Sequence, residues 1–546
     1  KRFGTVTIGV RPIFDPPENR AFEALNSTKT TTREGVIRRE LLFKEGDKFD
    51  PFLVSESERV LRGLGYLRDV KLRTVERDGG IVDVEVDVQD TWTIIPQFSF
   101  SSGDGRTKRS FGISEGNLMG RGKRAELLYR EEEKSDAIQF AYDDRRLFGS
   151  RYQGQFAVAD GSEGTAYLYD VGDPFRSLVQ ENAWGHKFFT GDTIERLYRS
   201  GEERFVYRKE SDIFGGQYAF ALGDPSDSVD RFSLGFQYSY ERFNPATISD
   251  LKDIGVDPKD LPENDGELAE DRKFIGPTVG FELIEQDFIK RRYIDRFSRF
   301  EDFNLGLHVR GSLFVAPTLL GSEDDTFLLH ASVGDGYLFE DEDFLRWELS
   351  TQSRYTVRSD IENSIFTLAS QYYYPVGPVL LENFNLGNHT LASQFRLDYS
   401  ETLDADREFL VGANNFLRGY DAHTFTGDKR IGINLEDRIH IIENAFDLVS
   451  LGFTFFAEAG GATSDSFGRL VSDRIYSDVG MGLRLAFPKS TGERVMRIDF
   501  AFPLRAADDG SDRLELRVIF SGGQLFDSKL PTERSDAERV GVDLGL

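Results

Sequence analysis

After residue 90 the chain returns again and again to a hydrophobic period of two. Phe232, Leu234, Phe236, Tyr238 and Tyr240 share one face, while Ser233, Gly235, Gln237 and Ser239 share the other. Met496, Ile498, Phe500 and Phe502 alternate with Arg497, Asp499 and Ala501, and Leu514, Leu516, Val518 and Phe520 with Glu515 and Arg517. Successive side chains of a strand point to opposite faces, so each segment has one apolar face and one small or polar face. A water-soluble sandwich shows the same alternation. The number of such segments, each of about 9 to 11 residues, favours strands that cross a bilayer. In lipid an open strand edge cannot be satisfied, so a sheet of this kind must close.

Only 39% of the 546 residues are apolar, which excludes a bundle of transmembrane helices, yet 47 Phe, 20 Tyr and 3 Trp make the chain strongly aromatic. Both numbers follow if only alternate residues of a strand meet lipid. The uncharged stretch 363–381 is broken by Pro375, Gly377 and Pro378, and reads as a strand with an aromatic end rather than a spanning helix. With 67 basic against 94 acidic residues the net charge is -27, which disfavours nucleic acid as a partner. No cysteine means no disulfide framework and no thiolate metal site. Lys1-Arg2-Phe3 runs straight into Val6, Ile8 and Val10 without a signal-peptide pattern, as expected of a processed or a non-exported form.

Residues 1–90 read differently. A strand (Val6, Ile8, Val10) precedes a polar stretch. Thr31-x-x-Glu34 then predicts a capping box for a helix to Lys44, with Gly46 as its stop. Asp50-Pro51 predicts the start of a second helix, ended by Gly63 and Gly65. Strands follow over 69–76 and 81–89, where Val82, Val84, Val86 and Val88 alternate with acidic residues. This β-α-α-β-β order, with "IRRELLFKEGDKFD" and "ERVLRGLGYLRDVKL", resembles a POTRA domain.

Connections counted back from a last strand at 513–520 alternate between long and short, which makes 401–427 a long outer loop and 376–390 a link on the opposite side. The period gives about 21 candidate strands, whereas this topology requires an even number. On 451–460 the alternation sends Leu451, Phe453, Phe455 and Ala457 outward and Phe456, Glu458 and Gly460 inward. On 480–487 it sends Met481, Leu483, Leu485 and Phe487 outward and Gly480, Gly482 and Arg484 inward.

The outer loop contains "FLVGANNFLRGYD", and its Leu417-Arg418-Gly419-Tyr420 resembles the signature of the outer-membrane barrel assembly and translocation superfamily, of the BamA, TamA and two-partner secretion transporter type. "GNLMGRG" (116–122) and "GMGLR" (480–484) stand in family order around it. The resemblance implies a mainly β fold: a transmembrane antiparallel barrel of about 16 strands, up to about 18 to 20, behind one α+β POTRA domain. It implies domains at 1–90 and 91–526, a C-terminal extension at 527–546, and a bacterial outer membrane location with the POTRA domain in the periplasm. It further implies that the loop folds into the barrel and that Arg418 meets an acid in an aromatic-x-Asp-x-Gly pattern. Phe456-Ala457-Glu458-Ala459-Gly460 stands there with Glu for Asp, and Arg484 is a second candidate partner for Glu458.

No nucleophile elbow, zinc-binding helix or phosphate loop is present, and the six histidines are scattered without ligand spacing. The expectation is no enzyme, no cofactor and no metal. The leading reading is a machine that inserts or translocates β-rich polypeptides. An extended client would add to a POTRA sheet edge, at 82–88 or 69–75. A weak seam between the first strand (91–101) and the last would carry Pro96, Phe98, Val518 and Phe520, Pro96 removing one ladder donor. Partners would be outer-membrane lipid, an unfolded or β-rich client, and periplasmic or outer-membrane accessory proteins. A two-partner-type secretion pore, and a non-assembly pore or structural subunit, remain open. The charged tail "TERSDAERV" reads as a periplasmic extension or a partner-binding strand.

Overall fold

The computed structural model describes residues 1–531 other than 17–19, 104–105, 132–134, 200–201, 258–267, 298, 340–341, 358–360, 383, 414, 493–494, 508–509, 511, 523 and 527; the side chains of 98–108, 199 and 202 also lie outside the description.

The front domain is a three-stranded sheet of β1 (Arg2–Arg11), β2 (Leu67–Arg77) and β3 (Ile81–Asp90), with β3 in the centre, parallel to β1 and antiparallel to β2. Val84, Val86 and Val88 are buried against Ile37, Leu61, Leu64 and Leu67. That burial explains the alternation read in the sequence. Of the two candidate client edges, 82–88 is therefore excluded, because both its sides are paired; 69–75 lies on an edge strand.

Helices α2 (Glu34–Arg38) and α3 (Pro51–Arg62) cover the sheet, whereas α1 (Arg20–Ser27) packs through Phe22 on Ile13 and Phe14. The helix α1 was not expected. The capping box at Thr31 does not form: Arg33 is the N-cap of α2 without a side-chain cap, and α2 ends at Arg38 instead of Lys44. Thr32 is committed elsewhere, to the Asp90 carboxylate through both its N–H and its hydroxyl. The cap of α3 forms as expected, with Asp50 accepting from the Phe52 N–H at 2.9 Å and Pro51 at the first helical position.

Among the described residues twenty antiparallel strands, from Ile94–Gly103 to Arg517–Gly522, form a closed barrel in which the last strand lies against the first. No described helix is long and apolar enough to cross a membrane. Phe232, Leu234, Phe236, Phe453, Phe455, Met481 and Val518 are exposed outside, while Glu436, Glu458, Arg484 and Asp499 are buried inside.

Three boundaries differ from the sequence reading. The first strand begins at Ile94, because Thr91 donates its N–H to Tyr66 O (3.2 Å) and Trp92 to Lys489 O (2.6 Å). The last begins at Arg517, since Leu514 turns into the left-handed region at φ 63 and donates its N–H to Pro503 O at 2.7 Å. The expected link 376–390 is a paired ladder that continues to Leu381 and Phe384.

The front domain covers one end of the barrel. Glu40 meets Arg146 at 2.7 Å, and Arg62 grips Asp302 through two bonds of 2.9 and 2.7 Å. Asp302 belongs to a hairpin, Phe288–Arg291 with Glu301–Asn304, that folds back at this end. The 116–122 motif is a turn against the domain: Asn117 Nδ2 donates to Thr32 Oγ1 (2.7 Å) and Arg33 N–H to Gly120 O (3.0 Å). Gly120 has φ 66, and a Cβ there would stand 2.3 Å from Thr31 O.

Candidate functional site

The loop between strands Phe384–Ser400 and Lys429–Ala445 starts at the far end of the barrel and turns inward. A short hairpin of Phe409–Val411 with Phe425–Gly427 supports it. Leu417, Arg418 and Tyr420 are each 0% exposed. Leu417 and Tyr420 pack with Val411, Phe425 and Tyr476, while the Tyr420 hydroxyl donates to Ser477 O (3.1 Å) and Arg505 O (2.9 Å). Gly419 presents its N–H to Asp478 Oδ2 at 2.9 Å; a Cβ there would fall 2.7 Å from the Asp478 Cβ.

Arg418 is the centre of a buried ionic cradle. Its backbone N–H and its Nε donate to the two oxygens of Glu458 at 2.8 and 2.9 Å. One terminal nitrogen reaches Glu436 Oε1 at 2.7 Å and the other Asp499 Oδ2 at 3.4 Å. The guanidinium lies 3.5 Å from the centre of the Phe456 ring. Asn434 Nδ2 ties the pieces together, donating to Phe416 O and to Glu458 Oε1, both at 2.8 Å. Buried charges persist in such a place only when paired and fully hydrogen-bonded.

Arg484, the second candidate partner of Glu458, goes elsewhere: its NH1 donates to Asp499 Oδ1 at 2.6 Å and its Nε to Gln524 Oε1 at 3.1 Å. Arg497 also reaches Asp499, at 3.2 Å, and Arg438 holds Glu436 at 2.8 Å. Glu436, Asp499, Asn434, Asp478 and Arg438 were not singled out from the sequence. Their signal was there, as charged or amide residues on the inward parity of strands whose outward residues are Ile433, Leu435, Ile498 and Phe500.

The inner-wall glycines make room in different ways. A Cβ on Gly432 would lie 2.4 Å from the Phe416 ring, one on Gly480 2.3 Å from the Phe456 ring, and one on Gly482 2.0 Å from Asp499 Oδ1. Gly460 faces its neighbour strand rather than the loop, 2.7 Å from Ile431 O on the same construction.

Between this cradle and the front domain lies a cavity of about 1610 Å³, whose lining includes Ile95, Pro96 and Gln97 of the first strand and Phe520 and Gly522 of the last. Pro96 is exposed and stands opposite Ile113; Val518 is exposed and Phe520 half-buried. The Phe98 side chain lies outside the described residues. The last strand has six residues, paired on its other side from Ala501↔Arg517 to Met496↔Gly522.

The Omp85 superfamily domain model matches residues 344–526, and the POTRA model, a surface antigen variable number repeat, matches 25–90. The chain is 29% identical over 127 residues to an outer membrane protein assembly factor BamA from Neorickettsia risticii; the aligned part is 22% of this chain and 17% of that relative. Among solved structures it is similar to BamA from Haemophilus ducreyi lacking POTRA domains 1-3, with TM-score 0.39, 14% identity, and coverage of 95% of this chain and 84% of that one. It is also similar to CdiB from Acinetobacter baumannii, with TM-score 0.45, 13% identity, and coverage of 96% and 73% respectively.

Proposed function

We propose that this chain, an outer-membrane barrel that carries an Omp85 superfamily domain and a periplasmic POTRA module, inserts or translocates β-rich polypeptides and performs no enzymatic step. The observation that carries this reading is the buried clamp of Arg418 on Glu458, which holds an outer loop inside the lumen above a cavity that reaches the junction of first and last strands. A clamp of this kind keeps the lumen filled while leaving that junction as the weak place in the wall.

An extended client would enter as an added strand on the outer edge of β2, since β3 is occupied on both sides. From there the cavity leads to the junction, where six residues on the last strand limit the ladder that must open. Exposed main-chain groups on the opened edge would then template the client strand. Outer-membrane lipid and accessory proteins complete the set of partners. The secretion-pore reading shares the docking step and parts from this one at the wall, because its client leaves through the lumen.

The test is a lock on the junction. Cysteines at Phe98 and Val518, joined by a short bis-maleimide, should abolish client insertion while leaving the POTRA module free to bind. Insertion at the normal rate with the junction locked refutes the lateral route. Constitutive conductance of the purified barrel, unaltered by Arg418→Ala, would favour a plain channel.

A further inference from the structure

We infer that the inner wall carries a groove for an extended polypeptide with an aromatic anchor, filled in cis by this chain's own residues 524–526 and 528–530. The inference deepens the proposed function and rests on it for the identity of the exchange ligand, which is a segment of the client.

Residues 524–526 and 528–530, beyond the last strand, lie inside the lumen, while the tail 532–546 lies outside the described residues. Gln524 meets Arg484. Phe526 is buried in a pocket of Ile294, Phe303, Leu305, Phe344, Tyr373 and Ala392. Its carbonyl accepts from Arg438 at 2.8 Å, and the same guanidinium lies 4.6 Å from its ring centre. Ser528 donates its N–H and its hydroxyl to Asp295 Oδ2 at 2.9 and 2.6 Å, while its carbonyl accepts from Arg346 at 2.7 Å. The Lys529 carbonyl accepts from Gln371 Nε2 at 3.1 Å.

Side chains of three different strands thus read three main-chain carbonyls, and one pocket reads one ring. Main-chain reading is tolerant of sequence, and the ring sets the register; that is how extended peptides are recognised. Nothing in this set belongs to the barrel ladder, so the segment can leave without breaking a strand pair. Ser528, Lys529 and Leu530 also line the cavity beneath the POTRA module, so an incoming chain reaches the groove through existing space. A client residue of aromatic type, with a small hydroxyl two positions on, fits the sites now held by Phe526 and Ser528.

A tethered segment competes at an effective concentration of roughly millimolar, which excludes a free peptide of equal affinity. The experiment measures fluorescence anisotropy of a labelled peptide with the sequence of residues 524–531 against the full chain in detergent. Phe526→Ala in the protein should admit the peptide at least tenfold more tightly than the unchanged chain. Adding Arg346→Ala and Gln371→Ala should remove the gain, and a peptide with Ala in place of its Phe should not bind. Heat-modifiable gel migration verifies the barrel, and Phe526→Leu serves the same comparison if the Ala variant does not fold. Equal binding to the unchanged and loosened chains, or no binding to either, overturns the inference. Peptide exchange requires no client assembly, so its failure beside intact insertion condemns the groove alone, and its success beside absent insertion condemns the insertion reading alone.

Discussion

Arg418 binds Glu458 through both its backbone and its side chain, so the carboxylate fixes the position of the loop as well as the direction of the guanidinium. The other two acids of the cradle have further cations: Glu436 keeps Arg438, and Asp499 keeps Arg484 and Arg497. Among the described residues Arg418 is the only cation within ion-pair distance of Glu458. Loss of Arg418 therefore strands one particular acid.

Arg418→Ala should cost about 3 to 5 kcal/mol, the usual cost of leaving a buried charge uncompensated. Adding Glu458→Ala should recover part of it, since no charge is then orphaned, giving a coupling of about 1 to 3 kcal/mol. Urea unfolding of the four proteins of the cycle reads this directly. Strict additivity would mean that the pair does not act as a unit.

The period of two made the outward belt legible, and through it the inward parity of Glu458, Gly482 and Arg484. Glu458 was named as the acid for Arg418, but its further partners Glu436 and Asp499 were not legible, because they depend on cross-strand register: Asn434 stands opposite Glu458, and Gly482 opposite Asp499. A single sequence does not contain that register. Pro375, Gly377 and Pro378 look like breakers, yet irregularities in the ladder between Pro375 and Gly377 and between Pro378 and Leu380 absorb them, so the strand runs on. Leu514 and Leu516 keep the parity of the last strand although the chain is still turning there. Residues 524–530 have no period at all, and only the pocket around Phe526 reveals where that ring goes.

Gly432 is the space into which Phe416 wedges, so Gly432→Ala should lift the loop tip from the wall. The chain has no natural cysteine, and Ala413→Cys beside the tip is therefore a clean reporter. Its labelling by an impermeant maleimide should rise by about an order of magnitude, as expected of a locally opened segment. An unchanged rate would mean that Phe416 does not hold the tip.

The Arg62–Asp302 pair joins α3 to the folded-back hairpin by a bidentate grip. Arg62→Asp should place like charges together and release the POTRA module, seen as faster proteolysis between it and the barrel. Restoring protection by adding Asp302→Arg would tie the effect to this contact; failure of the swap to restore it would place the docking energy elsewhere.

Docking should also weaken in acid. Burial alone would raise the Glu40 carboxyl, but its hydrogen bond to Arg146 and the nearby charge of Arg145 outweigh burial and hold it below its ordinary value. A depressed carboxyl favours the docked state whenever it is ionised, so its contribution is complete above the undocked value of about 4.3 and is lost as pH falls through the lower docked value. The distance between spin labels at Asp78→Cys on the domain and Phe148→Cys on a barrel turn should stay constant from neutral pH down to about 5 and broaden below about 4. Glu40→Gln should show a broadened distribution already at neutral pH, with a smaller further change in acid. The same acid transition in that variant would assign the release to another group.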